Sequence, residues 1–130
     1  MPTSTTADLL VIGAGAAGAT TAAFARRAGL SVQVLEQAAF PRFSIGESLL
    51  PHAMDVLHDA GLLDALRPCR FLEKRGVRFA SGEARCDFAF EEAGRGWGWA
   101  WQVPRAEFDH RVAQAVEAQG VRFAYRHSVQ

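Results

Sequence analysis

A glycine-rich turn near the start of the chain has the residue types and spacing most directly suited to chemistry. Residues 13–18 read Gly-Ala-Gly-Ala-Ala-Gly, a complete GxGxxG pattern. Gly13 permits a tight turn, Gly15 lets a diphosphate approach the backbone, and Gly18 lets a following helix pack closely on a strand. Free N–H groups at the start of that helix attract phosphate. The residues predicted to contact a cofactor here are Gly13, Gly15, Ala16, Ala17 and Gly18.

The elements around this turn are those that a dinucleotide site requires. Residues 9–12 predict a buried parallel strand, residues 16–28 an alanine-rich helix, and residues 31–36 a second strand. Glu36 ends the second strand, where a carboxylate accepts hydrogen bonds from ribose hydroxyls and repels a 2′-phosphate. The predicted site also includes the next residue, Gln37. The alternative is a glycine turn that binds no ligand.

A second segment, residues 45–51, reads Ile-Gly-Glu-Ser-Leu-Leu-Pro and follows closely on Arg42. Gly46 allows the backbone to approach a flat ring system, and Glu47 and Ser48 bring polar groups to the start of a predicted helix. The segment resembles the GESLLP segment of flavin-dependent halogenases and related FAD monooxygenases and reductases. That resemblance implies cofactor contacts from Arg42, Gly46, Glu47 and Ser48. The alternative is that Ser48 caps the helix and Glu47 complements its dipole.

A third segment, residues 103–109, reads Val-Pro-Arg-Ala-Glu-Phe-Asp. It resembles a V-x-R-x-x-F/L-D segment of the same superfamily, offset by the extra proline. The arginine of that segment opens a helix and contacts the flavin cofactor, which implies the same role for Arg105. A cation is unfavourable at a helix N-terminus, so a ligand-directed arginine would account for its position. The alternative is an ion pair with Glu107 or Asp109.

The three segments together resemble the glutathione-reductase-like FAD fold of aromatic hydroxylases, geranylgeranyl-type reductases and halogenases. They are spread over nearly the whole chain. The resemblance implies FAD as the cofactor, held by the diphosphate at the glycine turn and by the ribose at Glu36.

A run of tryptophans resembles a sequence motif of the halogenases in particular. Residues 99–104, Trp-Ala-Trp-Gln-Val-Pro, look like the WxWxIP signature of that family with valine in place of isoleucine. Together with Trp97, the alternation predicts three indoles on one face of a strand, forming a wall between substrate and flavin. The alternative is that alternating aromatic residues pack a sheet.

Lys74 is the only lysine among 14 basic residues and lies within residues 71–79. That segment is similar to the stretch carrying the active lysine of the halogenases, which holds or captures the oxidised halide. The resemblance implies a catalytic Lys74, because an ammonium donates hydrogen bonds and a desolvated amine is nucleophilic. The alternatives are a solvated basic cluster with Arg75 and Arg78, or the lysine that related reductases also carry here.

The remaining pattern predicts an α/β chain with a small antiparallel layer. Further elements are predicted as helices over 49–60 and 106–119, a strand over 121–125, and three antiparallel strands between 77 and 103. We predict a Rossmann-like, three-layer FAD-binding fold, of which residues 1–130 are the N-terminal part. Residues 70–104 would add strands to its substrate side. Three parallel strands are too few for a doubly wound sheet, which predicts an incomplete fragment.

Composition argues against several classes of protein. With 14 basic and 14 acidic residues, the chain has no net charge to attract nucleic acid or an anionic membrane. The uncharged residues 9–25 are weakly apolar and lack a preceding positive charge, unlike a membrane span or a signal peptide. Cys69 and Cys86 form no CxxC pair and the four histidines no metal spacing, which favours a cytoplasmic protein without disulfide or zinc.

These observations predict an FAD-dependent oxidoreductase. A halogenase-like enzyme would use reduced FAD and oxygen on a small aromatic or carrier-bound organic substrate, with a separate flavin reductase as partner. The alternatives are an FAD monooxygenase or a geranylgeranyl-type reductase and, from another class, a non-catalytic nucleotide-binding fragment. The 130-residue chain alone is expected to be inactive and to retain FAD weakly.

Overall fold

The computed structural model describes residues 6–94 and 96–130, which form seven strands and four α-helices. In chain order the strands are β1 (Leu9–Ile12), β2 (Val32–Glu36), β3 (Leu72–Lys74), β4 (Gly76–Ser81), β5 (Ala84–Ala89), β6 (Ala100–Gln102) and β7 (Arg122–Tyr125). The helices are α1 (Ala16–Arg27), α2 (Pro51–Asp59), α3 (Leu63–Leu66) and α4 (Arg105–Ala118). Short 3₁₀ turns cover Arg67–Cys69 and Phe90–Ala93.

A parallel sheet in the order β1-β2-β7 forms the centre of the fold. Val34 in the middle strand pairs with Val11 on one side and with Phe123 on the other. The sheet confirms the three parallel strands and the strand-helix-strand order predicted from the sequence. Because the carboxyl ends of parallel strands meet at one edge, Glu36 and the glycine turn come together there.

Helix α1 packs on β1 and β2, and α4 packs on α1. The buried positions of α1 are mostly alanines, whereas α4 buries the larger Phe108, Val112 and Val116. On the opposite face of β1, Leu10 and Ile12 are 54% and 65% exposed. The mixed α/β class predicted from the sequence is therefore confirmed, with helices covering the sheet on the side of α1.

The antiparallel part of the chain differs from the predicted set of three successive strands. β4 and β5 form a hairpin whose turn contains Gly82 in a left-handed conformation (φ 59°). β6 pairs with β3 instead, so that Lys74 lies opposite Ala100. The result is two separate two-stranded sheets.

Three aromatic residues predicted to lie on those strands lie outside them. Phe90 begins a 3₁₀ turn, and Trp97 and Trp99 precede β6. Gly94 and Gly96, with φ of 65° and 71°, take left-handed conformations just before Trp97, and β6 begins only at Ala100. The prediction of one strand carrying all three tryptophans is therefore wrong, because the alternating aromatics belong to a connection folded over the core.

Helix α2 begins later than predicted because the backbone around Ser48 pairs with β6. The N–H of Leu49 donates to the carbonyl of Trp101 over 3.0 Å. The helix cap is Leu50, without a side-chain hydrogen bond, and Glu47 lies outside the first turn. Helix capping by Ser48, the alternative considered from the sequence, is therefore wrong.

The described residues contain no helix with the length and apolar character that a membrane crossing needs. Cys69 and Cys86 are both free thiols. Within the same part of the chain, no three His, Cys, Asp or Glu side chains group as metal ligands. The polar side chains singled out in the sequence gather instead near the glycine turn, the N-terminus of α4 and the end of β3.

Candidate functional site

The connection from β1 to α1 leaves N–H groups open at the start of the helix. Gly13 is left-handed (φ 95°), and its N–H donates to the carbonyl of Leu35 over 2.7 Å. Gly15 begins α1 without a side-chain cap, and the first turn holds no acidic residue. A Cβ on Gly18 would lie 2.0 Å from the Gly13 carbonyl oxygen, so only glycine allows α1 to approach this closely. The positive end of the helix dipole thus meets no carboxylate of its own first turn.

A cavity of about 440 Å³ opens beside this turn. Ala16 and Ala17, the first two residues of α1, do not line it but line a separate cavity of about 380 Å³ together with Leu49 and Phe108. His127 and Val129 line the cavity beside the glycine turn and were missed from the sequence, although they follow a predicted parallel strand whose end points to this edge. The cavity-lining residues that had been predicted are Gly13, Gly15, Glu36, Gln37 and Arg42.

Glu36 is held from two sides although it is only 5% exposed. Its Oε2 accepts the N–H of Ala14 and its Oε1 the N–H of Ala38, each over 2.8 Å. A carboxylate has about four lone-pair sites, which leaves room for further donors such as hydroxyl groups. The carboxylate is thus directed across the glycine turn, while its contact with a ribose stays a prediction.

Arg42 lies over the glycine turn between two acidic residues. Its guanidinium is 3.1 Å from Asp109 Oδ2 and 4.0 Å from Glu36 Oε1. The same group lies 4.8 Å from the centre of the Phe40 ring. A Cβ built on Gly15 would come within 3.3 Å of its Nη2, so the guanidinium sits directly beside the open turn. This position suits an anionic ligand, because the arginine adds charge where the helix already presents N–H groups.

Arg105, at the start of α4, is tied to two parts of the protein. Its Nε and Nη2 donate to both oxygens of Asp109, over 2.8 and 3.1 Å. Its Nη1 donates to the carbonyls of Ile45 and Gly46, over 2.7 and 3.3 Å. Of the two acidic partners considered from the sequence, Asp109 is the one observed. Contact of Arg105 with a flavin stays a prediction.

Asp109 is the residue of this site that sequence reasoning undervalued. It is 1% exposed and accepts hydrogen bonds from both Arg42 and Arg105. The spacing of four residues from Arg105 on one helix was a usable signal, since such residues face each other. The link to Arg42, 67 positions away, had no local signal.

Lys74 faces the segment that contains Ser48. Its Nζ donates to Ser48 Oγ and lies 5.8 Å from the centre of the Phe90 ring. Burial lowers the pKa of Lys74, because removing solvent disfavours the ammonium form. The lysine is therefore a hydrogen-bond donor whose amine form is more accessible than that of a fully solvated lysine.

The neighbouring arginines behave differently from Lys74. Arg75 pairs with Glu73, and Arg78 pairs with Asp87 across the hairpin. Both arginines are largely exposed and have acidic partners of their own. These pairings count against a single solvated basic cluster that includes the lysine, while a catalytic role for Lys74 stays a prediction.

The three tryptophans contact one another in a row. Ring centres are 5.4 Å apart for Trp97 and Trp99, and 5.5 Å apart for Trp99 and Trp101. Trp101 is buried against Phe71 at 5.6 Å, and Trp97 lies 5.9 Å from His58. These contacts favour packing as the role of Trp101, and leave the half-buried Trp97 and Trp99 as the remaining candidates for a wall.

The sequence profile described as tryptophan halogenase matches residues 8–96. A brominase of pyrrole-2-carbonyl on a peptidyl-carrier protein, from Pseudoalteromonas luteoviolacea, is 33% identical over 89% of this chain and 28% of its own length. Menaquinone reductase of Mycobacterium tuberculosis is 36% identical over 94% of this chain and 29% of its own length. The chain thus spans less than a third of the length of these curated relatives.

Solved structures give the same picture of the fold. A flavoprotein/dehydrogenase from Cytophaga hutchinsonii is 44% identical, with a TM-score of 0.90, over 95% of this chain and 31% of that one. The myxobacterial chondrochloren halogenase, described as a variant of FAD-dependent halogenases, is 38% identical, with a TM-score of 0.85, over 95% of this chain and 29% of that one. The arrangement of β1, α1 and β2 around the glycine turn is therefore that of a flavoprotein fold.

Proposed function

This chain belongs to the tryptophan halogenase family, and from that premise we propose that it forms the N-terminal, FAD-binding part of a flavin-dependent halogenase. The observation that carries the proposal is the open glycine turn with Glu36 fixed across it by the N–H of Ala14. The relatives named for halogenation match nearly the whole chain. The family resemblance seen in the sequence is thereby confirmed.

The residues at the turn fit a bound FAD. The turn is free of side chains where Gly13 would carry a Cβ, and the adjoining cavity reaches Glu36 and Arg42. We assign the diphosphate to the N–H groups after Gly15, at the start of α1, and to Arg42, and the ribose to Glu36 and Gln37. Ala16, Ala17 and Gly18 are the other residues predicted at the diphosphate, and Gly46, Glu47, Ser48 and Arg105 are predicted to line the rest of the cofactor.

The cofactor and this chain would contribute different parts of the reaction. Reduced FAD would supply two of the four electrons that reduce oxygen to water, the halide would supply the other two and so be oxidised, and this chain would supply binding and orientation. Arg105 holds the backbone of Ile45 and Gly46, which keeps the segment next to Ser48 in one conformation. Lys74 donates one ammonium N–H to Ser48, and another of its N–H groups would donate a hydrogen bond to the oxidised halide.

The second candidate is a flavin-dependent reductase or monooxygenase on the same scaffold. Two observations favour it. The menaquinone reductase is 36% identical to this chain, and the flavoprotein/dehydrogenase is 44% identical, a higher sequence identity than that of the chondrochloren halogenase or the brominase. The substrate is a small organic molecule in either case: an electron-rich aromatic or a carrier-bound group for the halogenase, and a quinone or polyprenyl compound for the reductase. A separate flavin reductase would be a partner only of the halogenase.

The test uses protein that carries this chain in full. It is supplied with reduced FAD, oxygen, bromide or chloride, and a panel of electron-rich aromatics that includes carrier-bound pyrrole. We expect halide-dependent products with a halogen isotope pattern in mass spectra. Lys74→Ala should abolish them without loss of FAD binding, whereas Arg75→Ala, a change at the adjacent exposed ion pair, should not.

Two outcomes would overturn the halogenase proposal. Hydroxylated products that form without halide would identify a monooxygenase. Consumption of NADPH by the protein alone, with reduction of an added quinone or polyprenyl substrate, would identify a reductase.

A further inference from the structure

A single buried carboxylate joins two segments of the candidate site. Asp109 is 1% exposed, and its Oδ2 accepts hydrogen bonds from both Arg42 and Arg105, each over 3.1 Å. Its Oδ1 accepts the Nε–H of Arg105 over 2.8 Å. Both oxygens are thus occupied by guanidinium groups, which form directional, charge-assisted hydrogen bonds.

Each arginine continues from Asp109 to a different part of the site. Arg42 reaches the glycine turn, where its Nη2 lies 3.3 Å from the position of a Cβ on Gly15. Arg105 reaches the carbonyls of Ile45 and Gly46. The two guanidiniums therefore connect α4 to the diphosphate end and to the 45–46 segment through one acidic side chain.

Stability alone does not account for this cluster. Burying charges is costly, and replacing buried ion pairs by apolar groups is often neutral or stabilising. A fixed carboxylate instead holds a planar guanidinium group in one defined orientation. An arginine with long, rotatable methylene groups would otherwise sample many positions before meeting an anionic ligand.

We propose that Asp109 is a positioning residue that holds Arg42 beside the glycine turn and Arg105 against residues 45–46, so that both guanidiniums are in place before a dinucleotide binds. The proposal rests on the proposed function, because the dinucleotide is the ligand assigned there. It concerns the adenosine diphosphate half of that ligand, which is the half that meets Arg42.

The test measures binding of ADP to protein that carries this chain in full, by NMR titration of the glycine-turn amides. Asp109→Asn keeps the shape of the side chain and removes its charge. We expect it to raise the Kd for ADP about tenfold, because Arg42 loses the charge-assisted hydrogen bond that holds it beside the glycine turn. In the Arg42→Gln background the same change should have little further effect, since Asp109 acts on this half through Arg42.

Val112→Ala is the matched control, one helical turn further along the buried face of α4. It should lower the melting temperature by leaving a cavity, while ADP binding stays within about twofold of wild type. Equal weakening of ADP binding in Val112→Ala and Asp109→Asn would overturn the proposal, since a general loss of packing would then explain both.

Further outcomes separate this proposal from the proposed function. If wild type and Asp109→Asn bind ADP equally well, the role of Asp109 is overturned and the nucleotide site stands. If wild type binds neither ADP nor FAD, both are overturned. Should Asp109→Asn fail to fold, Arg105→Lys replaces it, because lysine keeps the charge but loses the planar fork that holds Asp109. An unchanged Kd in that variant overturns the proposal.

Discussion

Ala14 and Glu36 are joined across the glycine turn by a hydrogen bond of 2.8 Å from the N–H of Ala14 to Oε2. The other oxygen of the same carboxylate accepts the N–H of Ala38. Because the chain itself orients the carboxylate, no reorganisation of Glu36 is needed when a ligand arrives. Such preorganisation improves affinity by lowering the entropy cost of binding.

Glu36→Gln is expected to weaken ADP binding about tenfold or more. An amide has one oxygen, so either Ala14 or Ala38 loses its acceptor, and an unpaired buried N–H costs about 1–3 kcal/mol. Loss of the negative charge should also reduce discrimination against ADP carrying a 2′-phosphate. Calorimetric titration with both nucleotides measures these effects, with the exposed Glu117→Gln as control. The same discrimination in wild type and Glu36→Gln would contradict the prediction.

Gly18→Ala is expected to destabilise the fold by about 1–3 kcal/mol, the usual cost of overpacking. The added methyl group would lie 2.0 Å from the carbonyl oxygen of Gly13, and backbone rather than a flexible side chain would have to move. Urea unfolding measures the loss of stability. Thr21→Ala, at an exposed position of the same helix, is the control, and equal stabilities of the two variants would count against the close approach.

Ser48→Ala is expected to lower the pKa of Lys74 further. Burial already lowers that pKa, and the hydroxyl of Ser48 accepts a hydrogen bond that favours the ammonium form. Lys74 is the only lysine of the chain, so reductive ¹³C-methylation gives one side-chain NMR signal to titrate. Ser81→Ala, on the exposed hairpin, is the control. An unchanged Lys74 titration in Ser48→Ala would contradict the prediction that the Ser48 hydroxyl stabilises the ammonium form.

Tyr125 is expected to stay protonated in strongly alkaline solution. Burial, with smaller contributions from Glu117 and Glu36, raises its pKa from an ordinary 10.0 to about 12. The unfolded chain ionises first, so this contribution to stability is complete below pH 10.0 and is lost as the pH rises toward about 12. Absorbance of the single tyrosine follows the ionisation, and Tyr125→Phe removes it. A midpoint near that of free tyrosine in the folded chain would refute the prediction.

The N-terminal half of the site could be predicted because its signals are local. The apolar run, the glycine spacing and Glu36 all lie within the unit from β1 to β2, and the observed bounds of β1 match the predicted ones. Glycine is required at position 13 by the left-handed backbone conformation and at position 18 by the close approach of α1 to the turn. Patterns within a few consecutive residues predict local structure without any knowledge of distant contacts.

The rest depends on contacts between distant residues. Alternating aromatics predicted a strand through Trp97 and Trp99, but both residues pack against the core ahead of β6, which begins only at Ala100. The pairing of β6 with β3 joins residues about one quarter of the chain apart, and alternation does not specify a partner strand. For the same reason, hydrogen bonding of Lys74 to Ser48 could not be read from spacing.

The 67 positions between Arg42 and Asp109 also set an order of assembly. On a ribosome the N-terminal segment emerges first, so the unit from β1 to β2 is complete while Arg42 still lacks its carboxylate. That carboxylate arrives only with α4. During synthesis Arg42 is therefore made well before the carboxylate that anchors it, whereas Arg105 is made on the same helix as that carboxylate.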